Sequence, residues 1–203
     1  MHPTVANSTP LNFETTDQFI LTVRVTDNSS PIPNTADATV VIDLENVQEG
    51  AVLTIPIPQG TFHIGSDPAF VSPDATFTYD DVSNPNYAGA RLTVSIVAGR
   101  GKRDKLSVFK KGDGNNEIDV KGRRIYFNGE LIGKSKGGRG NVHPDLVITL
   151  TGSATTAAVD NLVRRINFRA KTDVGTTRTV TMQVTNIGGV DSNIATRDIA
   201  VVN

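Results

Sequence analysis

A chain of 203 residues has room for two domains of ordinary size, and 37% hydrophobic against 20% charged residues supplies a core and argues against wholesale disorder. Lys and Arg number 20 and Asp and Glu 21, which excludes a global pull toward nucleic acid or an acidic membrane. With Cys 0 and Trp 0, disulfide frameworks, thiolate zinc sites and cysteine nucleophiles are excluded, and little is left for stacking sugars or bases.

The chain opens Met1-His2-Pro3-Thr4, without a basic stretch leading into an apolar core and a cleavage site. That start fits a cytoplasmic protein or an excised piece of a longer secreted chain, and the organisation that follows favours the second. No apolar run approaches the roughly 18 residues of a membrane helix, so membrane insertion is not expected.

Residues 18–26 place Phe19, Leu21, Val23 and Val25 on one face of a strand. Residues 38–44 do the same with Ala38, Val40, Ile42 and Leu44, and the turn formers between Asp27 and Asn34 join the two. Two strands alone are marginal in water, so an upstream half, the following module or another copy must cover the apolar face. After Glu49-Gly50 further strands are expected at 52–57, 75–79, 91–97, 105–109, 124–127, 146–151, 165–170, 178–185 and 194–202. Gly-, Pro- and Asn-rich turns separate them, which reads as an all-β sandwich. Ala158, Val159, Leu162, Val163 and Ile166 fall at helical spacing, with Asp160, Asn161, Arg164 and Arg165 opposite. Ser153, Thr155 and Thr156 all remain open as the cap of this short helix, which is expected to seal one end of the sandwich.

Charge is segregated. Residues 1–49 carry Glu14, Asp17, Asp27, Asp37, Asp43, Glu45 and Glu49 against Arg24 alone, whereas residues 100–139 carry twelve Lys or Arg against five acids. Such asymmetry can mark binding faces. Calcium takes six to eight oxygens from carboxylates and carbonyls, and a site between modules needs acids at the end of one and the start of the next. The segment from Leu11-Asn12-Phe13-Glu14 through Val25-Thr26-Asp27 to Ile42-Asp43-Leu44-Glu45-Asn46-Val47-Gln48-Glu49 has that layout. Turn-forming and strand-end acids would account for the same residues.

These residues resemble the C-terminal half of a cadherin-type repeat. Glu14 matches the glutamate of its Leu-Asp-x-Glu motif, Asp27 the aspartate of Ala-x-Asp, and Glu49 the last linker aspartate. Asn12, Asn46 and Gln48 depart from the pattern but keep an oxygen each. The resemblance covers about a fifth of the chain. It implies calcium held by Glu14, Asp27, Asn46, Glu49 and Asp81, with Asp27 serving a preceding junction. Residues 50–203 resemble a tandem repeat of very large bacterial surface proteins and RTX-type adhesins. The matching segments include Gly89-Ala90-Arg91-Leu92-Thr93-Val94, Asp104-Lys105-Leu106-Ser107-Val108, Ile125 to Gly133, Ala157 to Phe168, and Arg178-Thr179-Val180. Ser83 and Asn186 stand where such repeats carry aspartate.

The resemblance implies an Ig-like or cadherin-like antiparallel β-sandwich with one short helix, preceded by a partial hairpin unit. Domains are expected at 1–49 and 50–203. It implies a secreted or cell-surface location, neighbouring repeats as partners, and cell-surface polysaccharide or another surface protein as the adhesion target. The runner-up is a polysaccharide-binding accessory module using Lys134, Lys136 and Arg139, against a solvated loop face.

Other constellations are weaker. Asp113, Asn115, Glu117 and Asp119 have the ligand spacing of half a calcium loop, but its twelfth position is Arg124, so a hairpin turn is preferred. Gly133-Lys134-Ser135 lacks the spacing of a phosphate loop, and stacking on nucleic acid is poorly supplied. His2, His63 and His143 form no zinc helix, no Gly-x-Ser-x-Gly elbow exists, and adjacent Asp80 and Asp81 would point to opposite faces of a strand. No catalytic residue and no enzyme activity is expected.

Overall fold

The computed structural model describes residues 11–13, 15–47, 50–79, 87–112, 114–139 and 143–203. They belong to two compact units, Met1–Gln48 and Glu49–Asn203. Glu14, Glu49 and Asp81 lie outside the described residues, as do Asp80, Ser83 and Asp113.

The first unit is a hairpin of β1 (Gln18–Thr26) and β2 (Thr35–Asp43), antiparallel and in register over its full length. Period-two alternation gives it two unlike faces. On one, Phe19 opposes Ile42, Leu21 opposes Val40, Val23 opposes Ala38 and Val25 opposes Ala36. On the other, Gln18 opposes Asp43, Ile20 opposes Val41, Thr22 opposes Thr39 and Arg24 opposes Asp37. The Arg24 guanidinium forks onto both Asp37 oxygens at 2.7 and 2.8 Å, and Gln18 Nε2 donates to Asp43 at 2.6 Å. The charged groups of this face are paired within it, while the Ile20–Val41 pair on the same face is exposed.

The second unit is built from β3 (Val52–Thr54), β4 (Gln59–His63), β5 (Ala69–Phe70), β6 (Thr76–Thr78), β7 (Arg91–Ala98), β8 (Lys105–Val108), β9 (Ile118–Lys121), β10 (Arg124–Phe127), β11 (Glu130–Arg139) and β12 (His143–Leu150). After helix α1 (Thr156–Arg164) come β13 (Ile166–Arg169), β14 (Thr176–Thr185) and β15 (Ala195–Val202). One large sheet runs β4-β15-β14-β7-β12-β11-β8-β13-β5, with β10 and β9 continuing from the first half of β11. All its pairs are antiparallel except β15 with β4, a departure from the wholly antiparallel expectation. A short β3–β6 pair stands apart. The large sheet curls on itself, since the Phe62 ring from β4 meets the Phe168 ring from β13 edge-on at 5.4 Å. The result is an all-β sandwich whose core is lined by Leu92 and Val94, Leu146 and Ile148, and Val180 and Met182 from alternating positions of β7, β12 and β14.

The expected strands recur with ends shifted by a few residues, but β4, β5, β9 and β11 were not expected. β11 holds Gly133, Gly137 and Gly138 among charged residues, a composition that disfavours strand. Pairing along both edges overrides it. Thr155 caps α1, its hydroxyl accepting from Ala158 N at 3.2 Å, and Ala158, Val159, Leu162 and Val163 are buried. Ile166, in phase with that stripe, belongs to β13 instead, because the helix closes at Arg165. It is nonetheless fully buried.

One charged pair lies inside the sandwich. Arg178 is the largest fully buried side chain, in phase with core-facing Val180 and Met182 on β14. Its Nε donates to Asp104 Oδ2 at 2.7 Å, its Nη2 donates to the Thr172 carbonyl at 3.2 Å, and Nη1 donates to the Thr176 hydroxyl. Gly101 N donates to the same Asp104 oxygen at 2.7 Å. The pair thereby ties the β7–β8 loop to the β13–β14 loop.

Candidate functional site

β11 positions the basic residues singled out from the sequence. Its inward positions, Gly133, Ser135 and Gly137, oppose core residues Leu150, Ile148 and Leu146 of β12. Lys134 and Lys136 therefore point outward, opposite Thr149 and Val147. A register shift between Gly137 and Arg139 then bends the strand. Both glycines of the bulge have φ of 80°, a left-handed conformation in which side chains are strained. At Gly138 a Cβ would stand 2.3 Å from the Leu106 carbonyl oxygen, so only glycine lets β8 approach β11 here. Beyond the bulge Arg139 comes into register with both His143 and Lys105.

The register extends each cation into a row. Arg139 opposes Lys105 of β8, which opposes Arg169 of β13. At the other end of β11, Lys134 opposes Arg124 of β10, which opposes Lys121 of β9. Adjacent strands lie about 4.8 Å apart, and like charges directly opposite are destabilising. Lys105 registers the strain: its ammonium is held below the ordinary lysine value by partial burial first, then by Arg139 and Arg169. Of the six, Lys121 alone has an ion pair among the described residues, to Asp119 at 3.3 Å, and its ammonium also lies over the Tyr126 ring. Lys136 stands between the rows, beside an open groove of about 410 Å³ that Arg91, Pro144, Asp145, Val147 and Thr149 complete. That volume is within the range of small-ligand sites. The arrangement can hold several anionic groups at once, at spacings set by the sheet.

Sequence reading found Lys134, Lys136 and Arg139, and the structure places all three on one exposed face. It did not find Lys105, Arg169, Arg124 and Lys121 as their cross-strand neighbours. Only register brings those together, and with β9 and β11 unrecognised the register was out of reach.

The acidic candidates stand differently. Asp27 closes the β1–β2 loop: Oδ1 accepts from the Ser29 and Asn34 amides at 3.0 and 2.8 Å, and Oδ2 from the Ser29 hydroxyl and Asn34 Nδ2 at 2.8 Å each. Those donors, Asn34 Nδ2 foremost, hold its carboxyl well below the usual carboxylate range. Asn46 is exposed after β2. Among the described residues no three Asp, Glu or His side chains gather as a metal site. In the 113–119 segment Glu117 pairs with Lys111 at 2.9 Å and buried Asp119 with Lys110 at 2.9 Å, and the chain turns into β9. That agrees with a turn.

No protein-family model and no curated protein matches the chain. Among solved structures it is similar to a protocadherin gammaB7 EC3-6 cis-dimer structure, with 12% identity and a TM-score of 0.33 over 95% of this chain and 34% of that one. A structure of protocadherin gamma B2 extracellular cadherin domains 3–6 matches with 10% identity and a TM-score of 0.33, over 95% and 35%. The chain thus spans about a third of the length of either.

Proposed function

We propose that this chain is a structural and adhesive module of a large extracellular protein, and that it adheres through the outer face of β11 and its neighbours to an acidic polysaccharide. The observation that carries the reading is the pair of cationic cross-strand rows, Arg139–Lys105–Arg169 and Lys134–Arg124–Lys121. Each row costs the sheet stability, and a polyanion laid across them would turn that repulsion into binding. Few aromatics and an open groove suit a charged polymer better than a neutral sugar.

Retention on immobilised sulfated and uronic-acid polysaccharides tests the reading, with dextran as the neutral control. Binding should weaken as salt rises. Replacing Lys134, Lys136 and Arg139 together with alanine should reduce affinity about 10- to 100-fold, or roughly 1.4–2.7 kcal/mol. Lys105→Met should also weaken retention while stabilising the fold by about 0.5 kcal/mol, because it relieves a like-charge contact. That gain is present at neutral pH, where the crowded ammonium is charged. It fades as pH climbs through the lowered lysine pKa, since the wild-type side chain then sheds its own charge. Equal retention of all variants, or retention on dextran, removes the reading.

A second reading rests on the charge of residues 1–49, seven acids against one arginine. Calcium bound by Glu14, Asp27, Asn46, Glu49 and Asp81 would stiffen successive modules, with neighbouring repeats as partners. At Asp27 the ion would have to displace the Ser29 and Asn34 donors. Millimolar calcium should then raise the melting temperature and chelator reverse it, and a melting curve indifferent to both removes calcium from the account.

A further inference from the structure

Both cationic rows leave β11 by the same edge. β12 pairs along one edge of β11, from Gly133 with Leu150 to Arg139 with His143. The other edge takes β10 at Lys134 and β8 at Arg139, so the β10–β9 and β8–β13 arms both extend from it. Lys134, Lys136 and Arg139 join the two rows into one bracket, in the order Lys121, Arg124, Lys134, Lys136, Arg139, Lys105, Arg169. Neighbours in a row stand one strand spacing apart, about 4.8 Å, and Lys134 and Lys136 are about 6.6 Å apart along their strand. The longer step from Lys136 to Arg139 crosses the bulge, where β11 bends.

The two arms are not equivalent. At the end of the β9 arm Lys121 already meets a carboxylate, since Asp119 takes Lys110 at 2.9 Å and Lys121 at 3.3 Å. Along β11 and the β8 arm, Lys134, Lys136, Arg139, Lys105 and Arg169 have no ion pair among the described residues. These five form an uninterrupted arc.

We propose that the arc reads charge spacing, and that its ligand carries an acidic group on every sugar residue, as a polyuronate does. The inference rests on the acidic-polysaccharide reading and narrows it. A pyranose residue in a 1→4-linked chain advances it by about one strand spacing, so successive carboxylates of a polyuronate fall about one to a cation. A polymer acidic only at alternate residues sets its charges about twice as far apart. Every second cation of the arc then faces like-charged neighbours with no anion between them, and the repulsion across the strands is only partly relieved. Asp119 shows the favourable case within the protein, one carboxylate drawing in two ammonium groups.

Calorimetric titration of the whole chain compares homo-oligouronates with hyaluronan oligomers, which carry a carboxylate on alternate residues, at equal numbers of carboxylates. With five carboxylates each, the homo-oligouronate should bind about 10-fold tighter. Its affinity should climb with length and level off beyond about five residues, one for each cation of the arc. Arg169→Ala, at the open end of the arc, should lower that affinity about fivefold and bring the plateau about one residue earlier. Equal affinity for the two oligomer types at matched charge, or a plateau that Arg169→Ala leaves in place, overturns the spacing inference and leaves the polysaccharide reading standing. Binding of neither type, with no retention on the long parent polymers, removes both.

Discussion

Asp104→Ala should destabilise the second unit by about 3–5 kcal/mol, the cost of leaving a buried charge without its partner. For a unit of this size that lowers the melting temperature by about 6–20 °C, and urea unfolding measures the loss directly. The reason is geometric. Both Asp104 and Arg178 side chains are fully buried, so each charge is compensated in the interior by the other. Removing the carboxylate leaves Arg178 with the Thr172 carbonyl and Thr176 hydroxyl, while Asp173, 3.7 Å from Nη2, is half exposed and screened. It also orphans the Gly101 amide, which donates to the same Asp104 oxygen. Asp104→Asn keeps an acceptor for that amide and should lose less. The double substitution Asp104→Leu with Arg178→Met removes both charges and should recover a large part of the loss. A double mutant as unstable as Asp104→Ala alone would show that loop packing, not the uncompensated charge, sets the cost.

Arg178 also shows what the sequence made legible and what it concealed. The alternation Arg178, Val180, Met182, Val184 puts an arginine in phase with three core positions, which flags a buried cation by period alone. Nothing local names Asp104, 74 residues away, as its partner. The same division runs through the chain. The apolar hairpin, the helix stripe and most sandwich strands follow from periodicity, because burial imposes period two or 3.6 on side chains. The strands that escaped are those whose strandness comes from neighbours: β11 is glycine-rich and basic, and β4 opens Gln59-Gly60. Their loss mattered most for the candidate site. Lys134, Lys136 and Arg139 stood out as a basic run, but a run says only that charges are near in sequence. The cationic rows exist because β8, β13, β10 and β9 arrive in a particular register, a tertiary fact.

The part of that register that joins β8 to β11 depends on one residue, and Gly138→Ala should break it. An alanine there takes on the strain of a left-handed backbone, about 1–2 kcal/mol, and drives its Cβ against the Leu106 carbonyl oxygen 2.3 Å away and the Leu146 side chain 3.3 Å away. Neither neighbour can yield easily, since Leu106 is a β8 backbone group and Leu146 is core. The total cost should reach about 2–4 kcal/mol, in line with other substitutions that combine backbone strain with overpacking. The useful control is Gly129→Ala in the Asn128-Gly129 turn between β10 and β11, where φ is 82° but nothing lies within 4 Å of the added Cβ. It should show the strain alone. The two variants also separate in binding. Gly138→Ala pushes β8 away from β11 and so parts Arg139 from Lys105 and Arg169, whereas Gly129→Ala leaves that row in place. Retention on an acidic polysaccharide, measured well below either melting transition, should fall for Gly138→Ala and hold for Gly129→Ala. If both retain the polymer equally, the cations of β8 and β13 take no part in holding it, and binding rests on β11 with the Lys134–Arg124–Lys121 row.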